Sequence, residues 1–171
     1  MTIDLHSFKL SEKEKLFSML SENDWPFHSG AKITRQLFDA QIQNEYYTGA
    51  GIKTFLVMNK EETVGFIRLF DLGKDFQDDE TPLFDLRLVK RYRGCGFGKE
   101  TLEQAVDYVF ETYTNKTRIE GTTRKDNLAM CKVFEACGFV NEARYRESWR
   151  AASGELLDTL GYGMLRRDWA D

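Results

Sequence analysis

The chain has 171 residues, 42% hydrophobic and 30% charged, an ordinary globular composition long enough to bury one core and unlike that of a disordered chain. Its 24 basic and 28 acidic side chains give a formal net charge of -4, which removes the electrostatic case for nucleic acid or an anionic membrane as the main partner. Three cysteines without CxxC spacing read as free thiols of a reducing cytoplasm, and His6 and His28 lack ligand-spaced partners, so neither a metal site nor a His-based triad is expected.

In chain order, residues 1–10 carry Asp4, His6 and Lys9 and so lack the apolar core of a signal peptide. No later segment reaches the apolar length of a membrane span. A short strand is expected within residues 3–10 and a helix over 12–20, with Ser11 as cap and Glu14 at capping-box distance. The loop at 23–30 breaks that pattern, and a second helix is expected from about Thr34, with Leu37, Phe38 and Ile42 on one side. Residues 54–58 and 63–70 read as a hairpin turning at Asn59-Lys60-Glu61-Glu62. The strand at 83–89 places Phe84, Leu86 and Leu88 on one face and Asp85 with Arg87 on the other. A helix from about Lys99 follows, its stripe formed by Leu102, Ala105, Val106, Val109, Phe110 and Tyr113. Then come a strand at 118–123, a helix at 127–137 stopped by Gly138, and a hairpin over 144–169 turning at Ala152-Ser153-Gly154. With no linker or repeat, residues 1–171 form a single domain, and the strand–helix–strand crossover implies parallel neighbours in a mixed α/β sheet.

The segment Arg93-Gly94-Cys95-Gly96-Phe97-Gly98-Lys99 joins a strand to a helix. Its alternating glycines allow close backbone approach, and the helix turns free N–H groups and its positive dipole end toward the turn, which is how phosphate is held. A P-loop would need glycine at Arg93 and Ser or Thr at Glu100; a dinucleotide fingerprint would need glycine at Lys99. Both spacings fail. Lys90, Arg91, Arg93 and Lys99 form a basic cluster around the turn, suited to an anionic ligand.

What remains, Arg-x-x-Gly-x-Gly, resembles the pyrophosphate loop of the GCN5-related N-acetyltransferases (GNAT). The resemblance extends through Asn127 to Gly138-Phe139 and on to Asp158, Tyr162, Met164-Leu165 and Trp169, a pattern similar to the RimJ/RimL-like branch over residues 54–169. It implies a mostly antiparallel mixed sheet with a central parallel strand pair splayed at the cofactor site and flanked by helices. It also implies an acetyl-CoA-dependent enzyme that acetylates a primary amine, on a protein or peptide N-terminus or a small molecule, by direct attack. The resemblance places the cofactor on Leu86, Leu88, Val89, Arg93, Gly94, Cys95, Gly96, Phe97, Gly98, Lys99, Asn127 and Phe134. It admits a homodimer and calls for neither nucleic acid nor membrane.

Two departures bear on catalysis. Phe134 stands where many members carry a proton-donating Tyr, and Met130 where the branch often has Ser. Cys131, Tyr145, Tyr162 or solvent could substitute as donor, while Asp85 and Glu120 are the candidate bases. An α-amine, with an unperturbed pKa of about 7.7–8.0, needs less help from a base than a lysine at about 10.4. The missing donors leave a second reading open, a catalytically silent acyl-CoA-binding module. Trp25-Pro26-Phe27-His28 can line an acceptor pocket or, equally, staple the first two helices together.

Overall fold

The computed structural model describes residues 2–28, 32–73 and 80–169, so the Ser29-Gly30 end of the expected first loop lies outside the described residues. Strands β1 (Asp4–Ser7), β2 (Lys53–Asn59), β3 (Glu62–Phe70) and β4 (Leu83–Leu88) form one antiparallel sheet in that order. Strands β5 (Arg118–Arg124), β6 (Val140–Arg150) and β7 (Leu156–Leu165) form a second, ordered β5-β7-β6. Alternation drives the pairing: Phe55 opposes Ile67 and Ile67 opposes Leu86, which stacks the apolar positions of three strands in one row.

Helices α1 (Lys13–Glu22) and α2 (Arg35–Gln43) cover one face of the first sheet, where Leu16, Leu20 and Phe38 pack with Tyr47, Leu56 and Phe66. Thr34 caps α2, its Oγ1 accepting from the Leu37 N–H at 3.2 Å. The capping box expected at Ser11 and Glu14 is not made. Glu12 bonds the Lys9 N–H instead, and Glu14 pairs with Arg35 of α2 at 2.6 Å. Helices α3 (Phe97–Thr112) and α4 (Leu128–Ala136) pack against the other face, and α3 buries the predicted stripe from Leu102 to Phe110 against Ile67, Leu69, Ile119 and Phe134.

The C-terminal hairpin begins earlier and ends sooner than its sequence suggests. Residues 140–143 already pair with β7, and Arg166–Trp169 is a helical turn, α5. Arg166 explains the stop: its guanidinium donates to the carbonyls of Phe110 and Tyr113 at the end of α3, at 2.9 and 2.7 Å. Trp169 lies against Phe110, ring centroids 5.3 Å apart.

The two sheets meet at β4 and β5. Near the start of both strands, the Glu120 N–H donates to the Pro82 carbonyl at 2.9 Å. Further along they diverge with the same direction, as the α3 crossover requires. Fully buried Phe134 sits under this junction, stacked on Tyr162 at 4.4 Å and near Phe84 at 5.7 Å. A Cβ on Gly121 would fall 2.7 Å from the tip of the Phe134 ring, so only glycine lets that ring reach the strand. Phe134→Ala should destabilise the protein by about 3–5 kcal/mol in denaturant unfolding. Phe134→Tyr should also destabilise it, because the added hydroxyl meets Gly121 rather than open space.

Candidate functional site

Sheet geometry decides which backbone groups face the gap between β4 and β5. The Val89 N–H donates to the Val64 carbonyl at 2.9 Å, so in register Asp85, Arg87 and Val89 turn their peptide groups toward β3. Leu86 and Leu88 therefore turn theirs into the gap. The Leu88 carbonyl is taken by Arg93 Nε at 2.8 Å. The Leu86 N–H and carbonyl and the Leu88 N–H have no protein partner among the described residues.

Beyond β4, a single 3-10 turn (Lys90–Tyr92) leads into the glycine loop. Gly94 and Gly96 have φ of +75° and +88°, and nothing lies within 4 Å of a Cβ built on either. They are glycine for backbone angle, not for space. The first internal bond of α3 runs from the Glu100 N–H to the Gly96 carbonyl, so the N–H groups of residues 94–99 have no acceptor among the described residues. They open on a groove of about 500 Å³ between β4 and α4, lined by Leu86, Leu88, the loop glycines, Lys99, and from α4 Leu128, Ala129, Met130, Lys132 and Val133.

The inner end of the groove is roofed by Trp25-Pro26-Phe27-His28. Two arginines, one from each arm of the splay, hold this roof. Arg93 Nη2 donates to the Asp24 carbonyl at 2.8 Å, and Arg124 Nη1 to the Pro26 carbonyl at 3.0 Å. Each guanidinium also lies over a loop ring, Arg93 over Trp25 and Arg124 over Phe27. Trp25 Nε1 in turn donates to the Leu20 carbonyl of α1 at 2.9 Å. The loop thus both lines the groove and staples α1 to it.

Under the roof lies a half-buried polar trio. Asp85 accepts from Arg87 Nη2 at 2.8 Å, and His28 Nε2 lies 3.1 Å from its other oxygen. Burial pushes the Asp85 carboxyl up, but the His28 hydrogen bond and the Arg87 charge outweigh it, leaving Asp85 well below the usual carboxylate range.

A model of the acetyltransferase (GNAT) domain matches residues 3–140. The chain belongs to the GNAT acetyltransferase family. None of the curated proteins matches it. Similar solved structures include a spermidine N-acetyltransferase SpeG chimera from Vibrio cholerae and hSSAT, with TM-score 0.84 and 17% identity over 100% of this chain and 99% of that one. Another is the Vibrio cholerae spermidine N-acetyltransferase in complex with CoA and spermine, with TM-score 0.79 and 17% identity over 99% of each chain. The dodecameric form of the Vibrio cholerae enzyme follows at TM-score 0.77 and 17% identity, covering 99% of this chain and 97% of that one.

Set against the GNAT pattern, the expected cofactor residues divide in two. Leu86, Leu88, Arg93, Gly94, Gly96, Gly98, Lys99 and Asn127 line the groove. Phe97 and Phe134 are fully buried in the core, Cys95 is exposed with its thiol on the Arg93 carbonyl, and the Val89 N–H is spent in the sheet. The basic cluster is largely engaged within the protein: Arg91 with Glu62, Lys99 with Glu103, Arg93 with two carbonyls. Asn127 caps α4, Oδ1 accepting from the Met130 N–H at 3.3 Å and Nδ2 donating to Thr123 at 3.0 Å.

The expected catalytic set of Asp85, Glu120, Cys131 and Tyr162 does not converge on the groove. Asp85 is held in the trio, and Glu120 pairs with Arg118, which also holds Glu142. Cys131 and Tyr162 belong to the core cluster, where burial pushes the Tyr162 hydroxyl above its ordinary range. Sequence reading missed His28 as the partner of Asp85 and Lys132 as a groove cation. Lys132 was findable, lying one helical turn from Leu128 on the face opposite Cys131 and Phe134.

Two outcomes follow from this geometry. Arg93→Ala should weaken acetyl-CoA binding and raise hydrogen exchange across residues 24–28, and Arg93→Lys, lacking the fork, should restore neither. Because the folded-state pKa of Asp85 is depressed, its stabilisation is present above the unfolded carboxylate value of about 3.9 and is lost as pH falls below it. Asp85→Asn should therefore lower stability at pH 7 and flatten the acid limb of the unfolding profile, read by thermal scans at stepped pH.

Proposed function

We propose that this acetyltransferase is a cytoplasmic member of the RimJ/RimL-like branch that transfers acetyl from acetyl-CoA to a primary amine. The observation that carries the reading is the run of unpaired N–H groups at residues 94–99, which opens on the same groove as the unpaired Leu86 and Leu88 backbone. Bound acetyl-CoA supplies the acetyl group as an activated thioester. The loop N–H groups and the positive end of α3 hold its pyrophosphate, with Lys132 the groove cation that no other group of the chain engages among the described residues. The gap-facing peptide groups of Leu86 and Leu88 orient the pantetheine arm as an added strand would. Arg93 acts through the roof and the Leu88 carbonyl rather than on phosphate.

Proton handling is light. Asp85 and Glu120 are ion-paired, and neither is placed to take a proton from an amine in the groove. An α-amine is already neutral in a sizeable fraction near pH 7.5. Assembly as a homodimer is favoured by strand β6, an edge of its sheet carrying Val140 and Tyr145 at 56% and 53% exposure. The Vibrio cholerae relative is itself described as dodecameric.

One observation favours the catalytically silent alternative: Cys131, Phe134 and Tyr162 all face the core, so among the described residues no carboxyl, hydroxyl or thiol side chain lines the groove. Titrating acetyl-CoA and then following free thiol with a broad amine panel separates the two readings. Amine-dependent thiol release is expected; tight binding without release from any amine establishes the silent module. Gly96→Ala forces an alanine into the left-handed region and should weaken acetyl-CoA binding about tenfold by calorimetry.

A further inference from the structure

A second cavity, of about 300 Å³, lies on the other side of the roof between the end of α1 and α2. It shares Trp25, Pro26, His28 and Arg87 with the acetyl-CoA groove, so the two meet at the trio. Its volume is at the small end of ligand sites. Its wall is mixed, with an apolar part from Leu20, Ile33 and Leu37 beside Asn23 and Gln41, and among the described residues its only carboxylate is Asp24, set against Lys32 and Arg87. A polyamine, with several positive charges and no negative one, finds little to pair with here.

Arg87 is prepared for an anion. Its Nε and Nη2 are spent on Asp85, at 3.2 and 2.8 Å, and its guanidinium is flanked by Trp25 and Phe66 at 5.8 and 5.7 Å. Nη1 has no protein partner among the described residues. A guanidinium fixed in this way offers a carboxylate its remaining edge with little left to order. His28 supplies the complement. The Asp85 carboxylate can only accept from Nε2, so in the neutral ring Nδ1 is the acceptor, and Nδ1 is buried without a partner.

Resting on the acetyltransferase reading, we propose that the acceptor is a free α-amino acid with an apolar side chain, its carboxylate held by Arg87 and its amine by His28 Nδ1. An unmatched donor and an unmatched acceptor, on two residues that share Asp85 and line the same cavity, fit a molecule that carries both groups on one carbon. The amine then lies at the junction with the groove, while the side chain occupies the apolar part of the wall.

The test is acetyl-CoA-dependent thiol release with L-leucine, L-phenylalanine, their carboxamides, spermidine and 2-phenylethylamine. The free acids should exceed their carboxamides and spermidine at least tenfold in kcat/KM. Arg87→Lys, which keeps the charge beside Asp85 but loses the fork, should bring the acid-to-carboxamide ratio near one. His28→Phe, which keeps a ring, should lower turnover of acids and carboxamides alike. Carboxamides or spermidine used as well as the acids would overturn the proposal while leaving the acetyltransferase intact, and an unaffected His28→Phe enzyme would remove His28 from it. Acetyl-CoA binding with no thiol release from any of these amines would overturn the proposal, and silence across the broad amine panel as well would overturn the acetyltransferase reading with it.

Discussion

The site depends on two strands that begin together and are then kept apart. Buried peptide groups must be paired, so a β4 that leaves β5 carries unmet donors and acceptors wherever the gap opens. The gap cannot close, because each strand is committed on its other side, β4 to β3 and β5 to β7. At the narrow end, the Phe84 and Phe134 rings sit against Gly121 and fill the space that would let the strands come together. One unmet group, the Leu88 carbonyl, is satisfied internally by Arg93. The others remain as an edge of strand inside the molecule, the kind of surface an extended ligand completes.

The electrostatics follow from the same opening. Both arms of the splay send an arginine to the backbone of one loop, and the loop returns Trp25 and Phe27 to the guanidinium faces. These contacts fix where the roof sits without using its side chains. The half-buried Asp85 is a different device. Desolvation opposes its charge, but the His28 hydrogen bond and the Arg87 charge outweigh it. What this one does is hold the plane of Arg87 and the tautomer of His28, two properties that matter only toward a ligand.

Much of this was legible in the sequence, and the reasons differ by element. The glycine loop, the α3 stripe and the Thr34 start of α2 are local signals, set by spacing within one turn or one helix. The splay was expected by resemblance alone, because its cause lies in packing between residues far apart in sequence, such as Phe84 and Phe134. The same holds for His28 and Asp85, 57 positions apart, which no spacing rule could join. Arg93 illustrates the limit most clearly. Its place in the motif suggested phosphate; its side chain lines the groove, and two of its donors go to backbone carbonyls. Cys131 and Tyr162 were named for chemistry without knowledge of which face of α4 and β7 they occupy, and both faces are core.

The missing proton donor thus has two causes: Phe134 faces the core, whereas Met130, where the branch often has Ser, lines the groove but carries no hydroxyl. Cys131 and Phe134 share the core face of α4, whereas Leu128, Ala129, Met130, Lys132 and Val133 line the groove. A hydroxyl at 134 would meet Gly121, and moving it to the groove would require turning the helix about its axis. A thiol titrates near 8.5, within about a unit and a half of neutrality, so a thiolate can depart without a dedicated acid. What the chain must supply is orientation, and that is where its arginines, glycines and open strand edge are spent.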